Sequence, residues 1–351
     1  MLEFSLIAIV ALVLVLPVTV RFIEHNLELF LLAMGALSVT FSHFLGEEKL
    51  WTLRLIEEAL VEPVAITAAV AVFGLLVFLF RKKLVDSIIK IEHKLGSKLF
   101  CFALITVLGI TSSMITAIMA AIILSEVVSS LRFSRDFEVK LVVLGCFSIG
   151  LGAVLTPIGE PLSTIAVSKL KGAPFHADFF FLLRNLGWYV IPGVIATGIL
   201  GAIIEPSVKE GRAKDTLKEK EKESFSGIFM RAGKVYVFIS ALILLGAGFK
   251  PIIDKYIISL SSHWLYWINI ISAVMDNATL TAAEISPQMS LGQIKYILMG
   301  LLVAGGMLIP GNIPNIISAS KLGITSKEWA KIGLPLGFAA MVVYFLIFLV
   351  I

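Results

Sequence analysis

Long apolar runs, each closed by a short charged loop, set the pattern of this chain. Uncharged stretches of 17 to 27 residues recur along it, the length that a hydrocarbon layer of roughly 30 Å asks of a helix. The runs at 4–20, 29–45, 63–80, 141–170, 186–204, 228–249, 294–320 and 332–351 read as membrane spans. Two more apolar stretches, 99–131 and 263–290, carry polar clusters near their middles and need separate treatment.

Composition agrees with the pattern. The chain is 58% hydrophobic and 15% charged, with a mean hydropathy of +0.98, whereas soluble domains carry about a quarter charged residues. A polytopic all-α membrane protein follows, multi-pass in the plasma membrane. The first run is not read as a signal peptide, because Glu3 stands where a basic region belongs and no small-residue cleavage site follows. The net charge of +4 lies in short loops between spans and implies no nucleic-acid partner. Cys101 and Cys146 fall in apolar segments without metal-ligand spacing, and the five histidines are scattered singly. No zinc site, haem attachment or nucleophilic triad is expected, so the chain is not read as an enzyme and no cofactor is called for.

Charge then sorts the loops. "RKKLVDSIIKIEHKLGSK" after Phe80 is strongly basic, and cytoplasmic loops carry excess Lys and Arg. If 99–131 crossed once, the next basic loop, "RFSRDFEVK", would lie outside. Reading 99–131 and 263–290 as re-entrant hairpins instead puts 21 Lys/Arg on the cytoplasmic side against 8 outside, with both termini outside. The same choice produces an inverted repeat. Accessory spans at 1–62 precede repeat 1 (63–204, hairpin 99–131, broken helix 141–170). A cytoplasmic linker at 205–227 leads to repeat 2 (228–351, hairpin 263–290, broken helix 294–322). "GEPLSTIAVSKL" at 159–170 aligns with "GNIPNIISASKL" at 311–322, an offset of 152. Inverted repeats with discontinuous helices are a common way to build a midplane site.

The interruptions carry the candidate chemistry. Pro157, Gly159 and Pro161 break the first half around Glu160, with Thr156 beside it; Pro310, Gly311 and Pro314 break the second around Asn312. Freed backbone groups survive in a membrane only inside protein or beside a cavity. The bland alternative is a surface turn, which would leave apolar flanks too short to span. The hairpin tips are "GITSSMITA" (109–117), with Ser113 and Thr116, and "SAVMDNAT" (272–279), with Asp276, Asn277 and Thr279. Asp-Asn alone would be an ordinary polar turn; at the bilayer centre an ionisable side chain is a functional candidate. Glu126 and Glu284 are expected near the membrane edges, and Lys169 and Lys321 to snorkel toward the interface. Carboxylates, hydroxyls and carbonyls form an all-oxygen set suited to hard cations. Burial disfavours a charged carboxylate while a bound cation favours it, so one acid can hold Na⁺ or H⁺ but not both.

"SAVMDNATLTAA" and "TPIGEPLSTI" resemble the two signature segments of NhaD-type Na⁺/H⁺ antiporters in the ion transporter superfamily, over roughly residues 60 to 351. Size and detail look closest to a prokaryotic family of predicted cation transporters. The resemblance implies that Asp276, Asn277 and Thr279 act at one hairpin tip and Thr156, Gly159 and Glu160 at a broken helix. It also makes a small monovalent cation the transported partner, with Na⁺ held by Asp276 and Glu160. Related folds are often dimers, which makes a homodimer an expectation. One departure stands out: the first tip reads Ser113-Met114-Ile115-Thr116-Ala117-Ile118, without the acid that NhaD-type antiporters carry there. Na⁺(Li⁺)/H⁺ antiport is therefore the leading expectation, and a Na⁺-coupled organic-anion symporter of the same superfamily is the alternative.

Overall fold

A computed structural model describes residues 2–20, 22–23, 26–64, 67–68, 71–72, 75, 79–80, 95–131, 133–204, 225–252, 255–256, 259–273 and 277–350. Asp276, most of the 205–227 linker and much of the 63–80 span lie outside the described residues. The described chain is helical, with no sheet among the described residues. In order come α1 (Leu2–Thr19), α2 (Leu27–Leu45), helical turns at 53–64, α3 (Ser97–Ile115), α4 (Ala117–Ser130) and α5 (Arg135–Ala153). Next are α6 (Pro161–Lys169), α7 (Phe181–Ile203), α8 (Phe225–Ile252) and α9 (Ser262–Ile268), which runs into a 3₁₀ turn at Asn269–Ala273. The chain closes with α10 (Asn277–Glu284), α11 (Leu291–Gly305), a 3₁₀ turn at Ile309–Gly311, α12 (Ile313–Leu322) and α13 (Ser326–Val350).

Local sequence explains the ends. Ser134 caps α5 by accepting from Phe137 N, and Asp136 and Glu138 sit in the first turn, where the helix dipole favours negative charge. Ser290 and Gln293 form a capping box on α11. Pro161 opens α6, where its missing N–H costs nothing. Gly323, at φ +63°, closes α12 in the left-handed conformation that glycine adopts most readily.

Five described helices are long and apolar enough to cross a membrane: Glu28–Leu45, Ser97–Ile115, Phe181–Ile203, Ala232–Ile252 and Ser326–Val350. The protein is an all-α, multi-pass membrane protein. One of these five, α3, is an arm of the expected hairpin 99–131, and its 19 residues match a full span in length. Its partner α4 has only 14, so the two arms are unequal.

Packing ties the elements into one body. The helices α3, α5 and α7 form a close trio. The N-terminal spans are fixed to α8 through small residues, which let helix backbones approach closely. A Cβ on Gly35 would come within 2.9 Å of Ala241 O, and Ser42 Oγ donates to Gly248 O at 2.7 Å. Two short helices cross between the halves: α4 lies on α12, and α10 lies on α6 and α8. At one end of the bundle Arg135 forks onto Glu328 (2.8 and 3.0 Å) and donates to the carbonyls of Leu322 and Gly323. In the 170–180 loop Arg184 pairs with Asp178 and holds that exposed carboxyl below its usual range.

Candidate functional site

Polar groups from the preceding helices hold each stretch between α5 and α6 and between α11 and α12. In the first half, α5 stops at Ala153 and the chain runs through Thr156, Pro157 and Gly159 to Pro161. Thr156 Oγ1 donates to Ser113 O at 2.5 Å, and Ala117 N donates to Gly159 O at 2.7 Å. The tip of α3–α4 is thus bonded on both sides to the break. Thr164 Oγ1 reaches back to Pro157 O at 2.5 Å, and Ser163 Oγ donates to Glu160 O at 2.7 Å. The carbonyls that proline frees therefore find hydroxyl donors close by.

The second half uses amides for the same task. Asn315 Nδ2 donates to Gly305 O at 2.8 Å and Leu308 O at 2.9 Å across the break. A side chain on Gly311 would meet Ser272 O at 2.5 Å and Gly305 O at 2.6 Å, so only glycine fits between tip and break. A Cβ on Gly305 would lie 3.4 Å from Ser272 Oγ and 3.6 Å from Asn277 Nδ2, which places both polar groups beside the interruption. Ser112 Oγ donates to Ile149 O in the first half and Ser272 Oγ to Leu301 O in the second, both at 3.1 Å. The two acceptors are again 152 residues apart.

Contacts between the halves align the short helices in parallel pairs. Ile118, Met119 and Ile122 of α4 pack on Ile313 and Ile317 of α12. Farther along, Ser125 Oγ meets Ser318 Oγ at 3.1 Å, and Lys321 pairs with Glu126 at 2.5 Å. In the other pair Lys169, at the C-terminus of α6, donates to Ala282 O (2.5 Å) and Ile285 O (3.2 Å) at the C-terminus of α10. Neither lysine snorkels as expected: Lys169 ties α6 to α10, and Lys321 ties α12 to α4. The N-termini of α4, α6, α10 and α12 consequently converge. Asn312 bridges the halves, since a Cβ on Gly150 of α5 would sit 2.8 Å from Asn312 Nδ2.

Six of the candidate polar residues are buried: Ser113, Thr116, Thr156, Glu160, Asn277 and Asn312. Thr116 and Glu160 precede α4 and α6 as their N-caps, and Asn312 precedes α12. Glu160 (φ −156°, ψ 161°) and Asn312 (φ −151°, ψ 146°) share one extended conformation. Ser113 and Thr156 join them through the hydrogen bond above. Asp276 lies outside the described residues, and Thr279 is placed only as a member of α10. Asn277 Nδ2 and Asn315 Oδ1 are buried without a hydrogen-bond partner. Such unpaired groups are costly in apolar surroundings, which makes both amides candidates for contact with a polar ligand. A family model for a protein of unknown function (DUF1646) matches residues 3–351. The chain belongs to the DUF1646 family. No curated protein matches this DUF1646 sequence.

Thr116 is the strained member of the DUF1646 site. Its φ of 73° with ψ 148° belongs to a region that is essentially glycine's and costs another residue about 1–3 kcal/mol. Its hydroxyl also accepts from Met119 N at 3.3 Å. Thr116→Gly is expected to raise stability by about 1 kcal/mol, because strain relief exceeds the small loss from a glycine cap. Thr116→Ala keeps the strain, loses the cap and should cost about 1 kcal/mol. Thermal unfolding of the purified variants reads the opposite signs; equal destabilisation by both would refute the strain.

One residue departs from its expected surroundings and another was missed. Glu284, expected as a helix-surface or interface charge near a membrane edge, is instead 6% exposed and accepts from Asn269 Nδ2 at 2.8 Å. Asn269, fully buried, drew no attention in the sequence. The spacing of Asn277, Thr281 and Glu284 was the available signal, because it puts all three on one face of α10.

Proposed function

We propose that this protein is a secondary active cation transporter that exchanges Na⁺ or Li⁺ for H⁺ by alternating access. Asp276 and Glu160 serve as carboxylates shared between cation and proton. Asn277, Thr279, Thr156, Ser113, Thr116, Asn312 and carbonyls of the two breaks supply further oxygens. The observation that carries the reading is the convergence of four short-helix N-termini on two interrupted segments, with buried Glu160 at one of them. Each N-terminus offers roughly half a positive charge, which offsets the cost of holding carboxylates in the membrane.

The finer architecture belongs to the same reading: two inverted repeats, each with a re-entrant hairpin and a broken helix. Lys98 and Ile203 line one groove, while Arg135 meets Leu322, Gly323 and Glu328. Those contacts support gathering the basic loops near 81–98, 132–140, 205–227 and 321–331 on one side, the cytoplasmic one by the positive-inside rule. Both termini then lie outside.

Purified protein in proteoliposomes loaded with a pH-sensitive dye gives the test. Added Na⁺ or Li⁺ should drive proton movement in wild type and none in Asp276→Asn. A silent wild type, or an undiminished Asp276→Asn response, sinks the proposal. The same four N-termini favour one second reading, Na⁺-coupled uptake of an organic anion, whose carboxylate they could receive. Two acids serving one site would repel a dianion there. Substrate-stimulated uptake of radioactive sodium without proton movement would favour that symporter.

A further inference from the structure

The buried pair inside the second hairpin is not needed for the cation site. Glu284 lies seven residues past Asn277, about 10 Å farther along α10. Asn269, at the start of the 3₁₀ turn, donates from Nδ2 to Glu284 Oε2 at 2.8 Å. The other half of that amide, Asn269 Oδ1, is buried and has no hydrogen-bond partner. An ionised carboxylate offers only acceptors and cannot satisfy it. A protonated Glu284 has an O–H, and an amide facing a carboxylic acid can then be satisfied on both sides.

We infer that Glu284 and Asn269 form a second carboxyl site, one that takes a proton and not the metal cation. The inference rests on the exchanger reading for its role: a stop for protons between the central carboxylates and the outer end of α10. Thr281 lies between them, with its Oγ1 donating to Asn277 O at 2.8 Å, so Asn277, Thr281 and Glu284 make one buried polar face. The step is simple protonation: Glu284–COO⁻ takes H⁺ on an oxygen and becomes COOH, and releases it in reverse.

The unpartnered Asn269 Oδ1 calls for a donor that only a protonated carboxyl supplies, while the charges around Glu284 act in opposite senses. Glu284 ends α10, and a helix C-terminus is unfavourable for negative charge. From α6, Lys169 directs its ammonium to the carbonyls of Ala282 and Ile285, and Glu160 stands at the far end of that helix. From α9, the Tyr266 hydroxyl donates to Met341 O. On α11, Tyr296 donates to Phe348 O and Lys295 lies over the Tyr189 ring. On α8, Lys234 pairs with Glu28, Lys250 with Glu48, and Tyr236 donates to Leu60 O.

The test uses full-length protein in lipid and two readouts. Infrared spectroscopy in H₂O and D₂O should reveal a protonated-carboxyl band that disappears in Glu284→Gln and shifts in Asn269→Ala. Glutamine keeps the volume and the pairing with Asn269, so that variant should fold. In proteoliposomes, Glu284→Gln should slow Na⁺-driven proton movement several-fold and flatten its pH profile. A carboxyl band unchanged in Glu284→Gln overturns the site. An unchanged rate and pH profile overturns the relay while leaving the exchanger reading intact. A wild type that moves no protons on Na⁺ addition, yet loses the band in Glu284→Gln, overturns the exchanger reading and keeps the site.

Discussion

Glu160→Gln is expected to reduce Na⁺-driven proton movement to the level of empty vesicles while leaving the protein as stable as wild type, or more so. Glutamine has the same shape and length, so packing around α6 is retained. The carboxylate caps α6 by accepting from Ser163 N, a bond that the amide oxygen of glutamine can keep, while Glu160 N donates to Ser163 Oγ at 3.4 Å and Glu160 O accepts from Ser163 Oγ at 2.7 Å. What the variant removes is a titratable charge that is 5% exposed. Burying a charge costs several kcal/mol unless its partners repay the cost. A residue kept for architecture would, on mutation, lose stability and activity together. A residue kept for carrying charge loses activity alone. Thermal unfolding and dye-reported exchange, measured on one preparation, separate the two. Exchange within a factor of two of wild type would remove Glu160 from the mechanism; a lower unfolding temperature would recast it as structural.

Much of the helical frame was legible because proline and glycine punctuate it. Pro161 opens α6, Pro314 lies in the first turn of α12, and Ala153 and Gly305 end the helices before the clusters. Thr116 was visible as a polar tip residue, but its positive φ was not, since threonine gives no warning of a backbone that glycine would normally adopt. Glu284 was misjudged through one-dimensional distance. Ten ångströms from the tip on an isolated helix puts the side chain on an exposed surface; α10 instead lies against α6, α8 and α11, which enclose its C-terminal turn. Lys169 and Lys321 were misjudged for a related reason. Snorkelling is the default for a lysine on a lone helix, and only the parallel pairing of helices distant in sequence offers them carbonyls or Glu126 instead.

Gly152→Ala should be the most damaging small substitution in the core, costing about 3–5 kcal/mol through overpacking and lost hydrogen bonds. A Cβ at Gly152 would fall 1.8 Å from Gly109 O and 3.2 Å from Ser112 Oγ. The nearer obstacle is backbone, which no rotamer change can move aside, so α3 and α5 must separate. Three bonds cross that contact: Ser112 Oγ to Ile149 O (3.1 Å), Ser148 Oγ to Ile105 O (2.9 Å) and Thr156 Oγ1 to Ser113 O (2.5 Å). Each is worth about 1 kcal/mol, and more where a buried group is left unsatisfied. Separation also draws the first hairpin tip away from Gly159, so the damage reaches the site. Gly187→Ala supplies the control. A Cβ at Gly187 meets only Leu183 Cδ1 at 3.4 Å and Ile191 Cδ1 at 4.0 Å, both on its own helix. There alanine should be neutral or stabilising by about 0.5–1 kcal/mol, because glycine weakens a helix interior. Cys101 and Cys146 are free and buried, so a thiol-reactive dye reports unfolding directly. Similar unfolding temperatures for Gly152→Ala and Gly187→Ala would mean that α3 and α5 can part cheaply, and the rigid contact that sets the first tip would be lost.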